Sequence, residues 1–477
     1  MAVPGILWLT RDFRLHDSPA LLAALADGPL LPVFFIDRLT MAQGAASRWR
    51  LERALKAFDK SLQARTGSKG ITVLRGEPDE LLPALMERLG ALRLHQTDWP
   101  TQEMRALQDR VREALHPVDA RLILHQGHLL VDPGKIRTSN GDVYRVYSPF
   151  ARAVRRLGSD RLSRDAPRHI TAFTGALDGL DLNTMDLAPD LSRGRTALER
   201  FAMPAGEGAA LARLDDFLER ASGYPDGRDR PDLEATSGLS EHLALGEISP
   251  RTLWARAVLR AEISPEHAAG IDKFLSEVIW REFSWHLMVE FPNLPVACWR
   301  TEWENFPWRK GGPSLIGWQR AQTGVALVDA GLRQMWLTGQ MHNRVRMVVA
   351  SWLTKHLLID WRAGLAHFAD CLTDWDPAAN AMNWQWMAGC GPDAAPYFRI
   401  FNPDKQAQQY DPRGDYRRRW LAGFDLCPDP DAALWVESTP RAWGAGQWHA
   451  GPSSMLTEGR EAALAALAHF RATTSES

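Results

Sequence analysis

The chain has 477 residues, of which 45% are hydrophobic and 24% charged, and its formal net charge is −2. This length allows two or more domains with large cores, whereas the nearly balanced charge excludes a chain that is basic throughout, so binding to a polyanion would require a local basic patch. The four cysteines form no C-x-x-C pair, no apolar run is long enough to span a membrane, and the first residues lack the apolar core of a signal peptide, which together predict a cytoplasmic protein without a metal site.

The first 130 residues alternate short apolar runs with segments of helical periodicity. Buried strands are predicted at 5–10, 31–37, 71–76, 92–97 and 120–126, and helices at 18–27, 48–65 and 78–90. This alternation predicts an α/β N-terminal domain with a parallel, Rossmann-like five-stranded sheet. Such sheets bind ligands at the carboxyl ends of their strands, but neither a dinucleotide fingerprint nor a P-loop is present.

Two further regions follow. Residues 131–200 are rich in Pro, Gly, Asp, Ser and Arg and predict a long inter-domain connection over the surface. From residue 201 onward strand patterns nearly vanish and helical periodicity dominates, so we expect an all-α C-terminal domain over 201–477.

A predicted helix over 271–288 carries an unusual polar face. Glu277, Trp280, Arg281 and Ser284 follow the i, i+3, i+4, i+7 spacing and therefore share one side. A solvated face with an i,i+4 ion pair is one explanation. A tryptophan fits poorly on such a face, and a half-buried polar cleft is the alternative.

A second predicted helix, over 341–361, has similar character. Asn343 and Met347 lie on one face at i,i+4 spacing with Arg344 beside them, while Arg346 points elsewhere. Two arginines opening an otherwise apolar helix indicate anion contacts, although a charged first turn on a core helix is equally compatible.

Paired carboxylates precede another helix. Asp374 and Asp376 stand shortly before Asn380, which suggests acid/base work or hydroxyl recognition. Capping of a helix that begins at Pro377 is the structural alternative. No hydrolase motif accompanies them.

The stretch 397–420 interleaves aromatic residues with Arg399, Lys405, Arg413 and Arg417–Arg419. Cations for phosphates and aromatic platforms for bases are what a nucleic-acid surface needs. The acidic residues between them leave a solvated face as the alternative.

Together these segments resemble the photolyase/cryptochrome family. LWLTRDFRLHDSPAL is similar to its N-terminal strand and loop, while TSGLSEHLALGEISPR, IWREFSWHLM and WQWMAGCGPDAAPYFRIFNP resemble its FAD-domain signatures, and the resemblance extends from about residue 5 to 420. It implies an antenna domain at 1–130, joined through 131–200 to a helical, FAD-binding catalytic domain at 201–477. It also implies repair of UV-damaged DNA, in which a flipped-out lesion receives an electron from light-excited, reduced FAD.

The resemblance assigns a set of FAD contacts. Asn380 falls where photolyases place an asparagine against the redox-active flavin nitrogen, and where plant cryptochromes typically carry Asp and animal ones Cys. An amide there can donate or accept a hydrogen bond, and its presence favours repair over signalling. The implied FAD contacts are Tyr224, Thr236, Ser237, Gly238, Leu239, Ser240, Arg281, Arg346, Asp374, Asp376 and Asn380.

The resemblance also implies lesion and DNA contacts. A glutamate such as Glu277 bonds the damaged base, and tryptophans such as Trp280 and Trp386 flank it. Enzymes for 6-4 photoproducts carry histidines where Asn343 and Met347 stand, so cyclobutane pyrimidine dimers are the expected substrate. The implied contacts are Arg228, Glu277, Trp280, Asn343, Arg344, Met347, Trp386 and Arg399.

Three tryptophans match the electron chain of the family. Trp308, Trp361 and Trp384 would carry electrons from the surface to photoexcited, oxidised FAD; three ordinary core tryptophans are the alternative. Trp384 and Trp386 would then have separate roles. Because residues two apart lie about 200° apart on a helix, these roles predict helical backbone at 384–386.

The antenna site departs from the family pattern. Gln102 and Glu103 stand where folate-binding relatives carry Asn-Glu, Val296 replaces an expected lysine, and Phe274 replaces a tryptophan of some relatives. Trp99 could stack on an aromatic chromophore. A second antenna chromophore in the N-terminal domain could therefore be a folate, a deazaflavin or another flavin-like molecule, or the site could be empty.

The leading hypothesis is thus a monomeric cyclobutane pyrimidine dimer photolyase that acts on UV-damaged DNA. A cryptochrome-like blue-light photoreceptor with a protein partner is the alternative, followed by a 6-4 photolyase. A light-independent flavoprotein oxidoreductase is disfavoured because the nicotinamide fingerprint is missing.

Overall fold

The structure is a computed structural model that describes residues 2–67, 69–158, 163–191, 195–393, 398–426 and 429–475. The strands are β1 Gly5–Leu9, β2 Leu30–Ile36, β3 Thr72–Arg75, β4 Arg93–Thr97 and β5 Arg121–His125. The helices of the first region are α1 Pro19–Asp27, α2 Arg38–Met41, α3 Ala45–Thr66, α4 Pro78–Leu89 and α5 Gln102–Leu115.

The remaining described residues are mostly helical. The helices are α6 Tyr147–Leu157, α7 Arg195–Arg200, α8 Glu207–Glu219, α9 Tyr224–Gly227, α10 Ser240–Ala244, α11 Pro250–Ile263, α12 Ala268–Glu290, α13 Gly312–Gln319, α14 Ala326–Thr338, α15 Asn343–Ser351, α16 Trp361–Cys371, α17 Pro377–Ala388, α18 Pro403–Tyr410, α19 Asp415–Trp420, α20 Pro430–Ser438 and α21 Ser454–Ser475. Short 3₁₀ turns lie at His116–Val118, Ala221–Gly223, Pro265–His267, Thr301–Asn305 and Arg441–Trp443. The predicted fold class, a parallel α/β domain followed by an all-α domain, is confirmed.

The five strands form one parallel sheet in the order β3-β2-β1-β4-β5. Alternate residues of β1 enter different cores. Leu7 and Leu9 pack with α1 and α3 on one face, whereas Ile6 and Trp8 pack with α4 and α5 on the other. A sheet covered on both faces explains why its strands read as continuous apolar runs. The strand order reverses between β1 and β4, so their carboxyl ends form the switch point where such sheets bind ligands.

Residues 131–200, which were predicted to be a surface connection, also pack into the fold. Ala172 pairs with Leu30 and Leu180 with Val73, which adds short bridges to the edge of the sheet. Helix α6, which the sequence did not predict, buries Phe150 in the core of the helical domain. The segment therefore contributes to both cores, and the exact domain boundaries stay a prediction.

The predicted single helix over 341–361 is wrong. Helix α15 ends at Ser351, a π-helical turn follows at Trp352–His356, and Leu358 has a positive φ of 54°. Asp360 then caps α16, because its side chain accepts from the Arg362 N–H. Apolar residues continue through the break, so periodicity alone hides it.

A buried ion cluster joins the two domains. Arg50 on α3 is 1% exposed and donates to Glu241 at 2.7 Å and to both oxygens of Glu247 at 3.0 and 2.6 Å. Burial acts to raise the pKa of Glu247. The hydrogen bond from His242 and the charge of Arg50 outweigh this effect and lower the pKa to about 2. The Glu247 carboxylate therefore stays ionised in the interior, and both carboxylates share the same guanidinium.

No helix in the described part of the chain is both long and apolar enough to cross a membrane.

Replacing Arg50 with methionine should destabilise the protein strongly. The variant leaves two buried carboxylates uncompensated, and the expected loss in free energy of unfolding is about 3–5 kcal/mol. Arg112→Met is the control, because Arg112 pairs with Asp109 on the exposed surface and should change stability by less than about 1 kcal/mol. Urea unfolding measures the free energy of unfolding of both variants. Equal losses in the Arg50 and Arg112 variants would contradict a special role for the buried ion cluster.

Candidate functional site

Helices α12 and α17 pack against each other at the centre of the helical domain. The Ser284 hydroxyl on α12 lies 3.5 Å from the Met382 sulfur on α17, and the Trp285 indole N–H donates to Asp376 at 2.9 Å. This packing brings together the two main groups of predicted site residues: Glu277, Trp280 and Arg281 on α12, and Asn380, Trp384 and Trp386 on α17.

Asp376 caps α17 and also faces Arg281. One carboxylate oxygen accepts from the Ala379 N–H at 2.9 Å, as the capping alternative predicted. The other lies 3.8 Å from the Arg281 Nε. The Arg281 guanidinium donates to Glu282 at 2.9 Å and to the His128 carbonyl at 3.1 Å. Its buried Nε makes no hydrogen bond within the described residues, so a donor remains for a ligand.

Asp374 and Arg346, both implied FAD contacts, form an ion pair. Arg346 donates to both carboxylate oxygens, at 3.0 and 2.8 Å, and its Nε donates to the Met341 carbonyl at 2.7 Å. The preceding residue, Thr373, donates its hydroxyl to Glu241. This contact connects the site to the buried ion cluster at the domain boundary.

Asn380 lies one helical turn into α17 and is 8% exposed. Its side-chain nitrogen donates to the Asp376 carbonyl at 2.9 Å. One N–H is thereby held by the helix, and the side-chain oxygen is the acceptor that the amide can offer to a ligand.

The implied FAD contacts at 236–240 include one residue with left-handed backbone. Gly238 has a φ of 60°, and a β-carbon there would lie 2.3 Å from the Arg213 guanidinium. Arg213 in turn donates to the Ser237 carbonyl at 3.0 Å. Sequence reasoning missed this arginine, which adds a cation beside the segment Thr236, Ser237, Gly238, Leu239 and Ser240.

Tyr224 belongs to the core beneath this segment. Its ring is 6% exposed and contacts Phe217 and Phe274 edge-on, at centroid distances of 5.3 and 6.3 Å. Phe274, which stands where some relatives carry a tryptophan, is therefore an ordinary core residue.

A chain of ion pairs lines the predicted lesion side. Arg228, which is expected to contact DNA, forms an ion pair with Glu277, and the Glu277 carboxylate also lies 3.4 Å from the Lys273 ammonium. Arg344 pairs with Asp229 at 2.8 Å. Sequence reasoning missed Asp229, because its partner Arg344 lies far away along the chain.

The start of α15 presents the remaining contacts on this side. Asn343 is exposed, Met347 is half-buried, and the Arg344 guanidinium covers the Tyr410 ring at 4.5 Å. Asn343 is therefore open to a contact from outside, whereas Met347 packs partly against the core of the helical domain.

The two predicted lesion-flanking tryptophans have unpredicted partners. Tyr147 stacks on Trp280 with ring centroids 3.5 Å apart and planes 3° from parallel. The Trp386 indole N–H donates to the Asp393 carbonyl at 3.3 Å, and the Arg399 guanidinium lies 5.2 Å from the Trp386 ring. Neither Tyr147 nor Asp393 carries a local motif, so only the tertiary structure reveals them.

The three tryptophans of the predicted chain differ in burial. Trp384 is 3% and Trp361 0% exposed, whereas Trp308 is half-buried and packs on Phe306 at 4.5 Å. The predicted helical backbone at 384–386 is confirmed by α17. Trp318, which was not predicted, contacts Trp384 edge-on at 6.2 Å.

Gly364 makes room for Trp384. A β-carbon at this position of α16 would lie 2.1 Å from the edge of the Trp384 ring and 2.7 Å from Leu353. Helices α16 and α17 can therefore approach closely only because this side chain is absent.

A small cavity opens at the carboxyl ends of β1 and β2, beside the switch point of the sheet. Arg11 covers the Trp99 ring at 4.7 Å and donates to Gln43 at 2.5 Å. Gln102 and Glu103 are exposed at the start of α5, and Val296 is 65% exposed. The cavity is lined by residues including Thr10, Arg11, Asp37, Gln43, Trp99 and Met104.

Family comparisons agree with this architecture. Residues 5–168 match the family model described as DNA photolyase, and residues 274–466 match the model described as FAD binding domain of DNA photolyase. A deoxyribodipyrimidine photo-lyase from Agrobacterium fabrum is 40% identical over 427 residues, which are 88% of this chain and 87% of that protein.

Two solved structures are also similar. A bacterial class III photolyase from Agrobacterium tumefaciens matches with a TM-score of 0.87 at 36% identity, covering 99% of this chain and 98% of that one. A cryptochrome from Synechocystis matches with a TM-score of 0.83 at 28% identity, covering 96% and 98%. The chain belongs to the DNA photolyase family and carries its FAD-binding domain, which confirms the resemblance.

His342 provides a pH-dependent prediction. Its ring nitrogen caps α15 by accepting from the Arg344 N–H at 3.2 Å, and burial lowers its pKa to about 4 from an ordinary value of 6.5. As the pH falls, His342 is therefore protonated in the unfolded chain before it is protonated in the folded protein. The contribution of neutral His342 to the free energy of unfolding is fully present above pH 6.5 and is lost as the pH falls towards 4.

His342→Asn removes this titration but keeps a good capping group. Between pH 7.5 and 4.5 the wild type should lose about 2–3 kcal/mol more free energy of unfolding than the variant. Urea unfolding at the two pH values measures this difference. If the wild type and the variant lose the same free energy of unfolding between the two pH values, the fold does not hold His342 neutral.

Proposed function

We propose that this protein repairs cyclobutane pyrimidine dimers in DNA by light-driven electron transfer from reduced FAD. The observation that carries the proposal is that α12 and α17, packed as one unit, hold both the implied flavin contacts and the implied lesion contacts. A relative that is 40% identical over 427 residues is named deoxyribodipyrimidine photo-lyase.

The residues of the cleft fit an FAD. The buried Arg281 Nε needs an acceptor, and the Asp374–Arg346 pair holds its carboxylate in a fixed orientation. The backbone turn at Gly238, beside the Arg213 cation, suits a pyrophosphate. When bound, FAD supplies the photoexcited electron donor, while Asn380 offers its amide to the flavin edge.

On the lesion side, Glu277 supplies the polar contact and Trp280 and Trp386 the aromatic walls. In the DNA-free protein Glu277 is paired with Arg228. A damaged base with an N–H donor would replace Arg228 as the hydrogen-bond partner of the Glu277 carboxylate. Arg228 would then be free to contact a phosphate of the DNA backbone. Asn343 and Met347, in place of histidines, favour cyclobutane dimers over 6-4 photoproducts.

We also propose that Trp308, Trp361 and Trp384 conduct electrons to oxidised FAD and so keep the enzyme ready for repair. The half-buried Trp308 would be the entry point, and the two buried rings would shield the path from water. The protein is expected to act on UV-damaged DNA as a cytoplasmic monomer.

The cavity beside Trp99 is the place we propose for a second, antenna chromophore. It lies at the carboxyl ends of the strands, and it offers an indole, a guanidinium and an amide to an aromatic ligand. A folate, a deazaflavin and another flavin-like molecule all have this chemistry. An absorption band beyond that of FAD in gently purified protein would identify the occupant.

A cryptochrome-like photoreceptor is the second candidate, favoured by the structural match to the Synechocystis cryptochrome. Asn380 argues against it, since the family's signalling members typically carry Asp or Cys at that position.

Repair assays separate these candidates. The fully reduced protein is bound to DNA that carries either cyclobutane dimers or 6-4 photoproducts, illuminated with blue light, and the remaining lesions are counted against a dark control. We expect loss of cyclobutane dimers only, and only in the light. Unchanged dimers in DNA-bound, reduced protein would refute the proposal.

Replacing Trp308 with phenylalanine should separate photoreduction from repair. Phenylalanine is harder to oxidise than tryptophan, so reduction of bound oxidised FAD should slow several-fold while repair by pre-reduced enzyme stays nearly intact. Trp443→Phe, which alters another half-buried tryptophan of the helical domain, should change neither rate. Parallel loss of both activities in the Trp308 variant would show that the proposed chain is misassigned.

A further inference from the structure

The cations on the lesion side are paired with carboxylates in the DNA-free protein. Arg228 forms an ion pair with Glu277, and its Nε lies 3.9 Å from one carboxylate oxygen of Asp229. The other Asp229 oxygen lies 2.8 Å from a terminal nitrogen of Arg344. At the opposite end, the Lys273 ammonium lies 3.4 Å from Glu277. Cations and carboxylates therefore alternate along one line, in which Asp229 stands between two arginines.

Asp229 connects elements that are distant along the chain. It lies in the segment that follows α9, whereas Glu277 belongs to α12 and Arg344 to the first turn of α15. Its side chain is 32% exposed, and an ion pair of that exposure contributes little to folding stability. What such a pair does control is which of its charges an incoming ligand meets.

Arg344 is held less firmly than Arg346 on the same helix. Arg346 donates to both oxygens of Asp374, at 3.0 and 2.8 Å. Arg344 pairs with Asp229 and covers the Tyr410 ring at 4.5 Å, and its buried Nε makes no hydrogen bond within the described residues. A guanidinium with an unused donor can bind a phosphate once its acidic partner lets go.

Asp229 and a DNA phosphate compete for the same guanidinium. Undamaged DNA brings no extruded base to Glu277, so Arg228 stays with Glu277 and Asp229 is left to Arg344. A lesion that takes over Glu277 leaves Asp229 as the carboxylate that both arginines share, which weakens its hold on Arg344. The backbone beside the lesion then supplies the missing acceptor.

We propose that Asp229 is a specificity-determining residue that withholds Arg344 from the phosphates of undamaged DNA and releases it when a lesion engages Glu277. The inference rests on the proposed function, because that function assigns Glu277 to the lesion and the arginines to DNA. Preference for a lesion is a difference between two affinities, and it grows when a contact is denied to the competitor. Undamaged sites far outnumber lesions, so this denial matters for finding one.

Asp229→Asn removes the charge and keeps the shape of the side chain. Asp215→Asn is the matched control, because Asp215 on α8 pairs with Arg256 on α11 at 2.9 Å and neither residue is assigned to FAD or DNA. Both variants lose one negative charge, so a difference between them reports the position of the carboxylate. Fluorescence anisotropy in the dark measures the binding of short duplexes with and without a cyclobutane dimer over a range of salt concentrations.

Affinity for undamaged DNA should rise about 5-fold in Asp229→Asn, the upper end for one partly exposed ion contact. The slope of log affinity against log salt concentration should steepen by about 0.9, the value for one more neutralised phosphate. Affinity for dimer-containing DNA should rise less than about twofold, because Arg344 is already released there, and the preference for dimers falls accordingly. Asp215→Asn should change both affinities by less than about twofold. FAD content should match the wild type in both variants.

Arg344→Gln tests whether the effect passes through Arg344. On its own it should lower affinity for dimer-containing DNA about 5-fold and leave affinity for undamaged DNA within about twofold. In this background Asp229→Asn should raise affinity for undamaged DNA no further than Asp215→Asn does. Equal losses for both DNAs in Arg344→Gln, or wild-type affinities in Asp229→Asn, would overturn the proposal.

Failure of the proposed function gives a different pattern. If the wild type binds both DNAs equally and removes no dimers in the light, the proposed function fails, and release by a lesion fails with it. A rise in affinity in Asp229→Asn that disappears with Arg344→Gln would still support the restraint of Arg344 by Asp229. Normal dimer repair with an unchanged preference for dimers in Asp229→Asn would leave the proposed function intact and overturn this inference.

Discussion

The guanidinium of Arg50 is the point on which the two domains and the site depend. It belongs to α3 of the α/β domain, yet both of its acidic partners, Glu241 and Glu247, belong to the helical domain. Glu241 in turn accepts from Thr373, the neighbour of Asp374. One buried charge is therefore connected through two hydrogen bonds to a carboxylate proposed to hold the flavin. Loss of the guanidinium would leave both carboxylates in the interior without the cation that they share.

The loop after β1 reinforces the same boundary. Arg11 donates to the Ala244 carbonyl and Arg14 to the Gly246 carbonyl, while Asp17 accepts from Arg251 at 2.8 Å. These charged residues are almost fully buried because they bridge the domains. The family-like motif in this loop is thus explained by assembly of the two domains, and the cavity beside Arg11 lies next to that boundary.

Local sequence patterns predicted the regular elements well. The five strands and helix α12 follow from hydrophobic period, and the cap at Asp376 follows from its position before Pro377. The break after Ser351 was missed because apolar residues continue through it. Tyr147 and Asp229 were missed for a different reason: each acts through a partner distant along the chain, and no local spacing encodes such contacts. The family resemblance predicted that Trp280 and Trp386 flank the lesion, but it did not predict the residues that contact these two rings.

Gly364 has a consequence for the speed of the proposed electron path. The edge of Trp384 fills the volume that any larger residue at 364 would need, so the ring is enclosed by backbone on that side. Close packing leaves a side chain little freedom to shift when its charge changes. An electron moves rapidly between groups whose surroundings rearrange little, and the missing β-carbon on α16 would therefore lower the reorganisation that accompanies the proposed transfer through Trp384.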